Sequence, residues 1–213
     1  MFNKACLNVY FILGSMNTPG RDPLDVLEQA LLGGITCFQF REKGPGARIG
    51  LDKFHLAKEM QRLCAQYQVP FIVNDDVGLA LAIDSDGVHV GQEDQSIQEI
   101  KAIAPKGMIV GVSATSVEQA VQAKQDGADY LGVGPIYRTT TKTDAKEPIG
   151  LKGISQIRAA VGTLPIVAIG GIQAEHKNEI KEAGADGVSV ISAISAAEHP
   201  QEAVRSFFAD NDA

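Results

Sequence analysis

Residues 130–142 read YLGVGPIYRTTTK, an apolar run that passes through a proline into a loop rich in hydroxyl groups. Its apolar part, residues 130–136, combines glycines with Val and Ile, which predicts a parallel strand buried on both faces. The loop that follows offers the hydroxyls of Thr139, Thr140 and Thr141 and the ammonium group of Lys142. These groups can donate hydrogen bonds to an anion and neutralise its charge, so the stretch indicates a site for a phosphorylated ligand.

The same strand-then-loop pattern continues in both directions along the chain. Strands are predicted at residues 8–13, 36–42, 69–73, 87–91, 108–113, 130–136, 165–170 and 187–192. Helices are predicted at residues 23–32, 51–67, 77–82, 97–104, 117–126, 154–161, 174–183 and 200–208. Eight β-then-α units with short connections favour a closed (β/α)₈ TIM barrel, in one domain spanning residues 1–213, over an open doubly wound sheet with two edges. Catalytic residues of such barrels lie at the carboxyl ends of the strands.

Composition restricts the partners that the chain can have. With 213 residues, 45% of them hydrophobic, the chain can bury one sizeable core. Its net charge of −7 argues against nucleic-acid binding, so an anionic substrate must be met by a local cluster of cations or by a divalent metal. The sequence shows neither a positively charged leader with an apolar region nor an apolar run long enough to span a membrane. No membrane partner is therefore expected, and a cytoplasmic location is expected. Cys6, Cys37 and Cys64 form no C-x-x-C pair and are expected to be reduced, buried thiols.

The second predicted strand ends in a cationic segment. Strand alternation places Phe38 and Phe40 against the helices and directs Gln39 and Arg41 into the barrel, with Lys43 just beyond the strand. The structural alternative for Arg41 is a buried ion pair with a neighbouring carboxylate. Glu42 lies on the outward phase, which favours a structural role.

Carboxylates follow the next two strands. Asp75 and Asp76 come after the third strand, beside Asn74, and Asp94 comes after the fourth. Oxygen ligands at two adjacent strand ends could share one Mg²⁺ that also binds a substrate phosphate. Helix capping is the alternative, and it fits Asp76 at least as well as Asp75. His89, within the fourth strand, is interpreted as a histidine packed in the lumen rather than as a catalyst.

The last two strands end in features of a phosphate site. Gly170 ends the predicted seventh strand and Gly171 follows it, while Ile191 and Ser192 end the eighth. Barrels recurrently bind phosphate at these two strand ends. Together with the cationic segment and the carboxylates, this predicts two phosphorylated small-molecule substrates, a monophosphate and a diphosphate accompanied by Mg²⁺. Short turns that contain Asp86, Asp129 and Asp186 each lead into a strand and are predicted to be structural.

Taken in order, these motifs resemble the thiamine-phosphate synthase family, also called thiamine-phosphate pyrophosphorylase. The matching segments are FQFREK, PFIVNDD, GVHVGQED, GVSA, GADYLGVGPIYRTTTK, AIGGI and GADGVSVISAI, which span residues 38–194. The resemblance implies a (β/α)₈ barrel that joins a hydroxymethylpyrimidine diphosphate to a hydroxyethylthiazole phosphate, releasing pyrophosphate with one Mg²⁺ per subunit. It also allows for a homo-oligomer.

The resemblance also implies roles for individual residues. The pyrimidine diphosphate would be held by Gln39, Phe40, Arg41, Glu42, Lys43, Asn74, Ser113 and Lys142. Of these, Arg41, Lys43, Ser113 and Lys142 would be catalytic. The metal would be bound by Asp75 and Asp94, and the thiazole phosphate by Thr139, Thr140, Thr141, Gly171, Ile191 and Ser192.

Two alternative functions are weighed against the synthase. A thiazole tautomerase of a related barrel family needs an acid–base group but no metal-diphosphate site, so the presence of both Asp75 and Asp94 argues against it. A non-catalytic regulator that binds phosphorylated ligands would not need a complete site for two substrates.

Overall fold

The protein was analysed as a computed structural model, which describes residues 3–139 and 147–209. Eight parallel strands form a closed barrel in chain order, and the last strand pairs with the first. The predicted (β/α)₈ TIM barrel is therefore confirmed. None of the helices in these two ranges is long and apolar enough to cross a membrane.

The strands are short and their residues are almost all buried. They are β1 Val9–Leu13, β2 Cys37–Phe40, β3 Phe71–Asn74, β4 Gly87–Val90, β5 Ile109–Ala114, β6 Tyr130–Val133, β7 Ile166–Ile169 and β8 Gly187–Val190. The helices are α1 Pro23–Gly33, α2 Gly50–Gln66, α3 Val77–Ala82, α4 Ile97–Ile103, α5 Val117–Asp126, α6 Gly150–Val161, α7 Lys177–Glu182, α8 Ser192–Ser195 and α9 Pro200–Ser206.

Alternation along the strands divides the core into two layers. In β1, Val9, Phe11 and Leu13 pack outward against the helices, whereas Tyr10 and Ile12 belong to the lumen cluster. Phe38 and Phe40 lie in the outer layer, as predicted for the second strand. Because side chains of a strand alternate between faces, every strand supplies both layers, and only the lumen layer can reach a ligand at the mouth of the barrel.

Some helix and strand boundaries differ from those that the apolar pattern predicts. Helix α6 begins at Gly150, four positions before the predicted start at 154, and the predicted helix 174–183 divides into a 3₁₀ turn, Ala174–His176, and α7. Ser192, predicted to end a strand, is the first residue of α8. Helix α1 agrees with the prediction, because Asp22 caps its start by accepting a hydrogen bond from the Leu24 amide, and Pro23 follows.

The cysteine prediction is confirmed only in part. All three cysteines are free thiols, and Cys37 and Cys64 are buried. Cys6 is half-exposed instead, because it lies in the 3₁₀ turn Lys4–Leu7 at the amino-terminal end of the barrel.

Four side chains fasten the amino-terminal end of the barrel; we call them the strand-start clamps. Each immediately precedes an even-numbered strand and accepts a hydrogen bond from a backbone amide at the start of the preceding odd-numbered strand. The pairs are Thr36 Oγ1 with Val9 N at 2.9 Å, Asp86 Oδ2 with Phe71 N at 2.8 Å, Asp129 Oδ2 with Val110 N at 2.8 Å, and Asp186 Oδ2 with Ile166 N at 2.9 Å. The turns predicted to be structural thus satisfy amides at strand starts.

Candidate active site at the carboxyl ends of the strands

The side chains predicted to bind ligands lie at one end of the barrel. Lys43 follows β2, Asp75 follows β3 and Asp94 follows β4, so the three lie at the mouth of neighbouring strands. Asn74 ends β3, and Ser113 lies at the penultimate position of β5. The closed barrel therefore assembles residues that are separated by about seventy positions in the chain.

Several charged side chains lie close together around Asp75. Lys43 Nζ lies 2.7 Å from Asp75 Oδ2. Burial raises the pKa of Asp75, but this hydrogen bond and the Lys43 charge outweigh burial and hold the pKa below its usual value. The pKa of Asp94 is raised by partial burial and by the negative charge of Asp75, although the Gly91 amide donates to Asp94 Oδ2 at 2.7 Å. The two carboxyl groups are thus close enough to influence each other's ionisation.

Asp76 is structurally separate from Asp75. Its Oδ1 accepts a hydrogen bond from the Leu79 amide at 2.9 Å and caps α3, while its Oδ2 pairs with Lys53 Nζ at 2.7 Å. The sequence left the roles of these two neighbours open, and the geometry gives the capping role to Asp76.

The backbone at Asp75 is unusual. Its φ is 60°, in the left-handed region that non-glycine residues rarely adopt, apart from Asn and Asp. Its amide donates to the carbonyl oxygen of His89 at 2.9 Å, which ties the end of β3 to β4. A strained residue held by its neighbours is characteristic of functional sites, and here it carries a carboxylate.

The acidic side chains at this mouth of the barrel offer few protein ligands to a divalent cation. Among residues 3–139 and 147–209, no group of three or more His, Cys, Asp and Glu side chains is arranged to hold a metal. Asp75 and Asp94 nevertheless provide two interacting carboxylates at adjacent strand ends. Mg²⁺ commonly uses one or two carboxylates and completes its coordination with water and ligand phosphate, so the pair fits Mg²⁺ and does not fit a closed all-protein metal site.

The segment after β2 combines side chains with different surroundings. Arg41 is half-buried, and its charge acts on Lys43. The Glu42 carboxylate is buried and accepts hydrogen bonds from the Ser15 amide at 2.8 Å and the Arg48 amide at 2.7 Å, which fits the structural position that alternation predicted. The Phe40 ring packs outward beside Phe71. Phe40 and Glu42 therefore use their side chains for packing and for holding loops.

Five polar side chains form a continuous hydrogen-bonded series across the lumen; we call it the lumen chain. Gln39 Nε2 donates to the Tyr10 hydroxyl at 3.0 Å, which lies 2.9 Å from the Tyr130 hydroxyl. The Tyr130 hydroxyl lies 3.0 Å from His89 Nδ1, and His89 Nε2 lies 2.9 Å from Ser113 Oγ. His89 packs in the lumen as predicted, and it also contacts a residue predicted to be catalytic.

Sequence reasoning missed the two tyrosines of this chain. Tyr10 and Tyr130 were interpreted only as parts of apolar strands. Strand phase was the available signal, because Tyr10 alternates with the outward-facing Val9 and Phe11. Phase alone does not reveal which lumen side chains meet across the barrel.

A small pocket lies between β7 and β8. Its lining includes Thr139, Gly171, Ile191 and Ser192, and its volume is about 50 Å³. Gly171 has a φ of 65°, and a Cβ at this position would lie 2.5 Å from the Arg138 carbonyl oxygen, so only glycine fits without displacement. The four residues predicted to bind a phosphate are therefore brought together. Thr140, Thr141 and Lys142 lie outside the described residues.

A wider cleft of about 1060 Å³ opens at the opposite, amino-terminal end of the barrel. Its lining includes Cys6, Thr36, Tyr67 and Lys106, and it includes none of the residues predicted to bind substrate. Size alone favours this cleft, but the charged and hydroxyl groups converge at the carboxyl ends of the strands. We therefore assign the candidate active site to the carboxyl end.

Comparison with known proteins identifies the family of the chain. The family model described as thiamine monophosphate synthase matches residues 9–194. The chain is 59% identical over 201 residues to a thiamine-phosphate synthase of Geobacillus kaustophilus, covering 94% of this chain and 90% of the relative. It is 51% identical over 208 residues to one of Staphylococcus carnosus, covering 97% and 98%. A solved thiamine phosphate pyrophosphorylase from Pyrococcus furiosus superposes with a TM-score of 0.85 at 35% identity, covering 96% and 95% of the two chains.

Proposed function

The chain belongs to the thiamine monophosphate synthase family, and we propose how its barrel joins two substrates. The reaction condenses 4-amino-2-methyl-5-(diphosphooxymethyl)pyrimidine with 4-methyl-5-(2-phosphooxyethyl)thiazole. The products are thiamine phosphate and pyrophosphate, and the enzyme is a transferase. The observation that supports the proposal is that two separate groups of polar residues lie at one mouth of the barrel, one charged and one built from glycine and hydroxyl groups.

The charged site suits the diphosphate. Arg41 and Lys43 supply positive charge at the end of β2, and the hydrogen bond to Asp75 raises the pKa of Lys43 and keeps it protonated. Lys142 is assigned to the same diphosphate from the sequence alone. Cations fixed in advance stabilise charge that develops on a leaving group, because they need no reorganisation as the bond breaks.

Asp75 and Asp94 are proposed to hold one Mg²⁺. When bound, Mg²⁺ would neutralise oxygens of the diphosphate and so make it a better leaving group. Lys43 already pairs with Asp75. The positive charges of Lys43 and Mg²⁺ would therefore offset the negative charges of both the carboxylate and the diphosphate. This arrangement lets a chain with a net charge of −7 bind a polyanion.

The pyrimidine ring is proposed to lie over the lumen chain, with Gln39, Asn74 and Ser113 beside it. Thr139, Gly171, Ile191 and Ser192 would hold the phosphate of the thiazole in the neighbouring pocket, together with Thr140 and Thr141. Departure of the diphosphate gives a pyrimidine methylene cation, which the thiazole nitrogen then attacks. Holding both rings at one mouth of the barrel makes that attack effectively unimolecular, and no protein nucleophile is required.

Location and assembly are proposals of the same kind. We expect a cytoplasmic enzyme whose partners are its small phosphorylated substrates and, where it assembles, further copies of the same chain.

The test is a coupling assay with both substrates and Mg²⁺. Thiamine phosphate and pyrophosphate should appear in equal amounts, and neither should form when one substrate is omitted. The thiazole phosphate supplied alone as its tautomer should isomerise no faster than in buffer. Isomerisation without pyrophosphate release from the complete mixture would favour the tautomerase and contradict the proposal.

A further inference from the structure

The lumen chain connects two residues on opposite walls of the candidate active site. Gln39 lies on β2 and Ser113 on β5, and the three side chains between them come from β1, β6 and β4. The intermediates are buried, with exposed fractions of 1% for Tyr10, 1% for Tyr130 and 7% for His89. Every link measures between 2.9 and 3.0 Å. Lengths in this range are those of well-formed hydrogen bonds, so the chain can hold the two ends at a fixed separation.

Glycines on two neighbouring strands make room for the rings of the chain. A Cβ at Gly111 would lie 2.2 Å from Cζ of Tyr130, and a Cβ at Gly132 would lie 2.9 Å from Cε1 of His89. Either added methyl group would therefore displace a ring. Because glycine weakens a strand interior, its presence at both positions indicates that the placement of these rings matters.

The buried tyrosines keep their protons. Burial raises the pKa of both Tyr10 and Tyr130 well above the usual value, so each hydroxyl can donate one hydrogen bond. His89 interacts through both of its ring nitrogens, which restricts the orientation of the ring. A change at one hydroxyl can thus be transmitted to Ser113 through the His89 ring.

We propose that Tyr10 and Tyr130 are positioning residues for the coupling reaction: they orient the Gln39 amide and, through His89, the Ser113 hydroxyl. The inference rests on the proposed function, because Gln39 and Ser113 are the side chains assigned to the pyrimidine diphosphate. Neither tyrosine needs to contact the substrate for this role. Loss of a tyrosine hydroxyl should therefore slow the chemical step rather than weaken the binding of the thiazole phosphate.

The test is a double-mutant cycle between Tyr130 and Ser113. Tyr130→Phe keeps the ring and should lower kcat about tenfold, as expected for one or two disrupted buried hydrogen bonds, with the KM for thiazole phosphate changed less than about twofold. In the Ser113→Ala background, the same substitution should lower kcat by a clearly smaller factor, because one of the two groups that it positions is absent. Tyr67→Phe is the control, since Tyr67 packs against the outer layer, and its kcat should not change.

Equal losses of kcat in both backgrounds would show that Tyr130 serves only general packing, and an unchanged kcat would equally overturn the proposal. Should Tyr130→Phe fail to fold, Tyr10→Phe provides the same cycle one link further along the chain.

A measurement without catalysis separates this inference from the proposed function. The chain has four histidines, whose ring nitrogens ¹⁵N NMR can monitor. The signals of one of them should shift when Tyr130→Phe removes the partner of Nδ1. If the unmodified protein releases no pyrophosphate, the proposed function is contradicted, but the NMR comparison can still be made. Unchanged histidine signals in Tyr130→Phe would overturn the inference itself.

Discussion

Replacing Asp75 by Asn gives a direct test of the proposed metal pair, Asp75 and Asp94. The amide is nearly isosteric with the carboxylate, and Asn tolerates the left-handed φ of 60° found at this position, so the backbone should be retained. The substitution also removes the ion pair with Lys43, but the two side chains are 52% and 23% exposed. A pair with that exposure contributes roughly 0–1 kcal/mol, so the free energy of unfolding should change little.

The expected effect of Asp75→Asn is on the metal requirement. Removing one of two anionic ligands should raise the Mg²⁺ concentration for half-maximal turnover by about tenfold or more, and Asp94→Asn should act in the same direction. The assay is pyrophosphate release across a Mg²⁺ titration at saturating substrates. Urea unfolding of each variant checks that the fold is intact.

Asp76→Asn is the matched control, one residue away. Asn caps a helix about as well as Asp, so the hydrogen bond to the Leu79 amide should survive, and only the pair with Lys53 is lost. We expect an unchanged Mg²⁺ titration and a loss of stability below about 1 kcal/mol. Equal Mg²⁺ dependence in all three variants and the unmodified protein would refute the assignment of Asp75 and Asp94.

Three further predictions concern stability and turnover. Asp186→Asn should lower the free energy of unfolding by about 1–2 kcal/mol at pH 7, with the exposed Glu28→Gln as charge control. Burial raises the pKa of Asp186, but hydrogen bonds from the Ile166 amide and from Lys4 outweigh burial and lower it. The contribution of Asp186 to the free energy of unfolding should therefore be complete above the unfolded pKa of about 3.9 and be lost as the pH falls toward the lower folded pKa. Urea unfolding at several pH values from 7 to 3 checks this. Ser189→Ala removes a hydroxyl that has no hydrogen-bond partner among the described residues, so it should not lower the free energy of unfolding. Ser85→Ala breaks a 3.0 Å hydrogen bond and should lower the free energy of unfolding by about 1 kcal/mol. A larger loss of stability in Ser189→Ala than in Ser85→Ala would contradict this. Lys142→Ala should lower turnover far more than it weakens thiazole phosphate binding by titration calorimetry, and equal losses would contradict its assignment to the diphosphate.

The sequence was sufficient for the barrel because the fold follows from local periodicity. Strand phase correctly separated Phe38 and Phe40 from Gln39, and the order of the strands placed Asp75 near Asp94. Both results depend only on the alternation of side chains and on the rule that functional groups gather at strand ends.

The remaining features depend on contacts across the barrel. Asp75 and Asp76 are neighbouring residues of the same type, so the sequence does not distinguish their roles. The structure does, because Asp75 has a left-handed φ and Asp76 caps a helix. The contact between His89 and Ser113 joins β4 to β5 through the lumen, where the tilt of the strands decides which side chains meet. A linear pattern carries no record of that tilt, so the lumen chain could be recognised only in three dimensions.

The strand-start clamps also have a mechanical meaning. They join β1 to β2, β3 to β4, β5 to β6 and β7 to β8, which makes the barrel a ring of four fastened modules. Within the part of the chain that the structure describes, the four seams between these modules carry no such clamp. Asp75 and Asp94 follow β3 and β4 and so belong to one module, whereas Lys43 follows β2 and reaches Asp75 across a seam. When a seam widens, the two carboxylates are expected to keep their spacing while the lysine withdraws. The barrel would thus preserve the spacing of Asp75 and Asp94, the proposed metal pair, and vary the contact between Lys43 and Asp75.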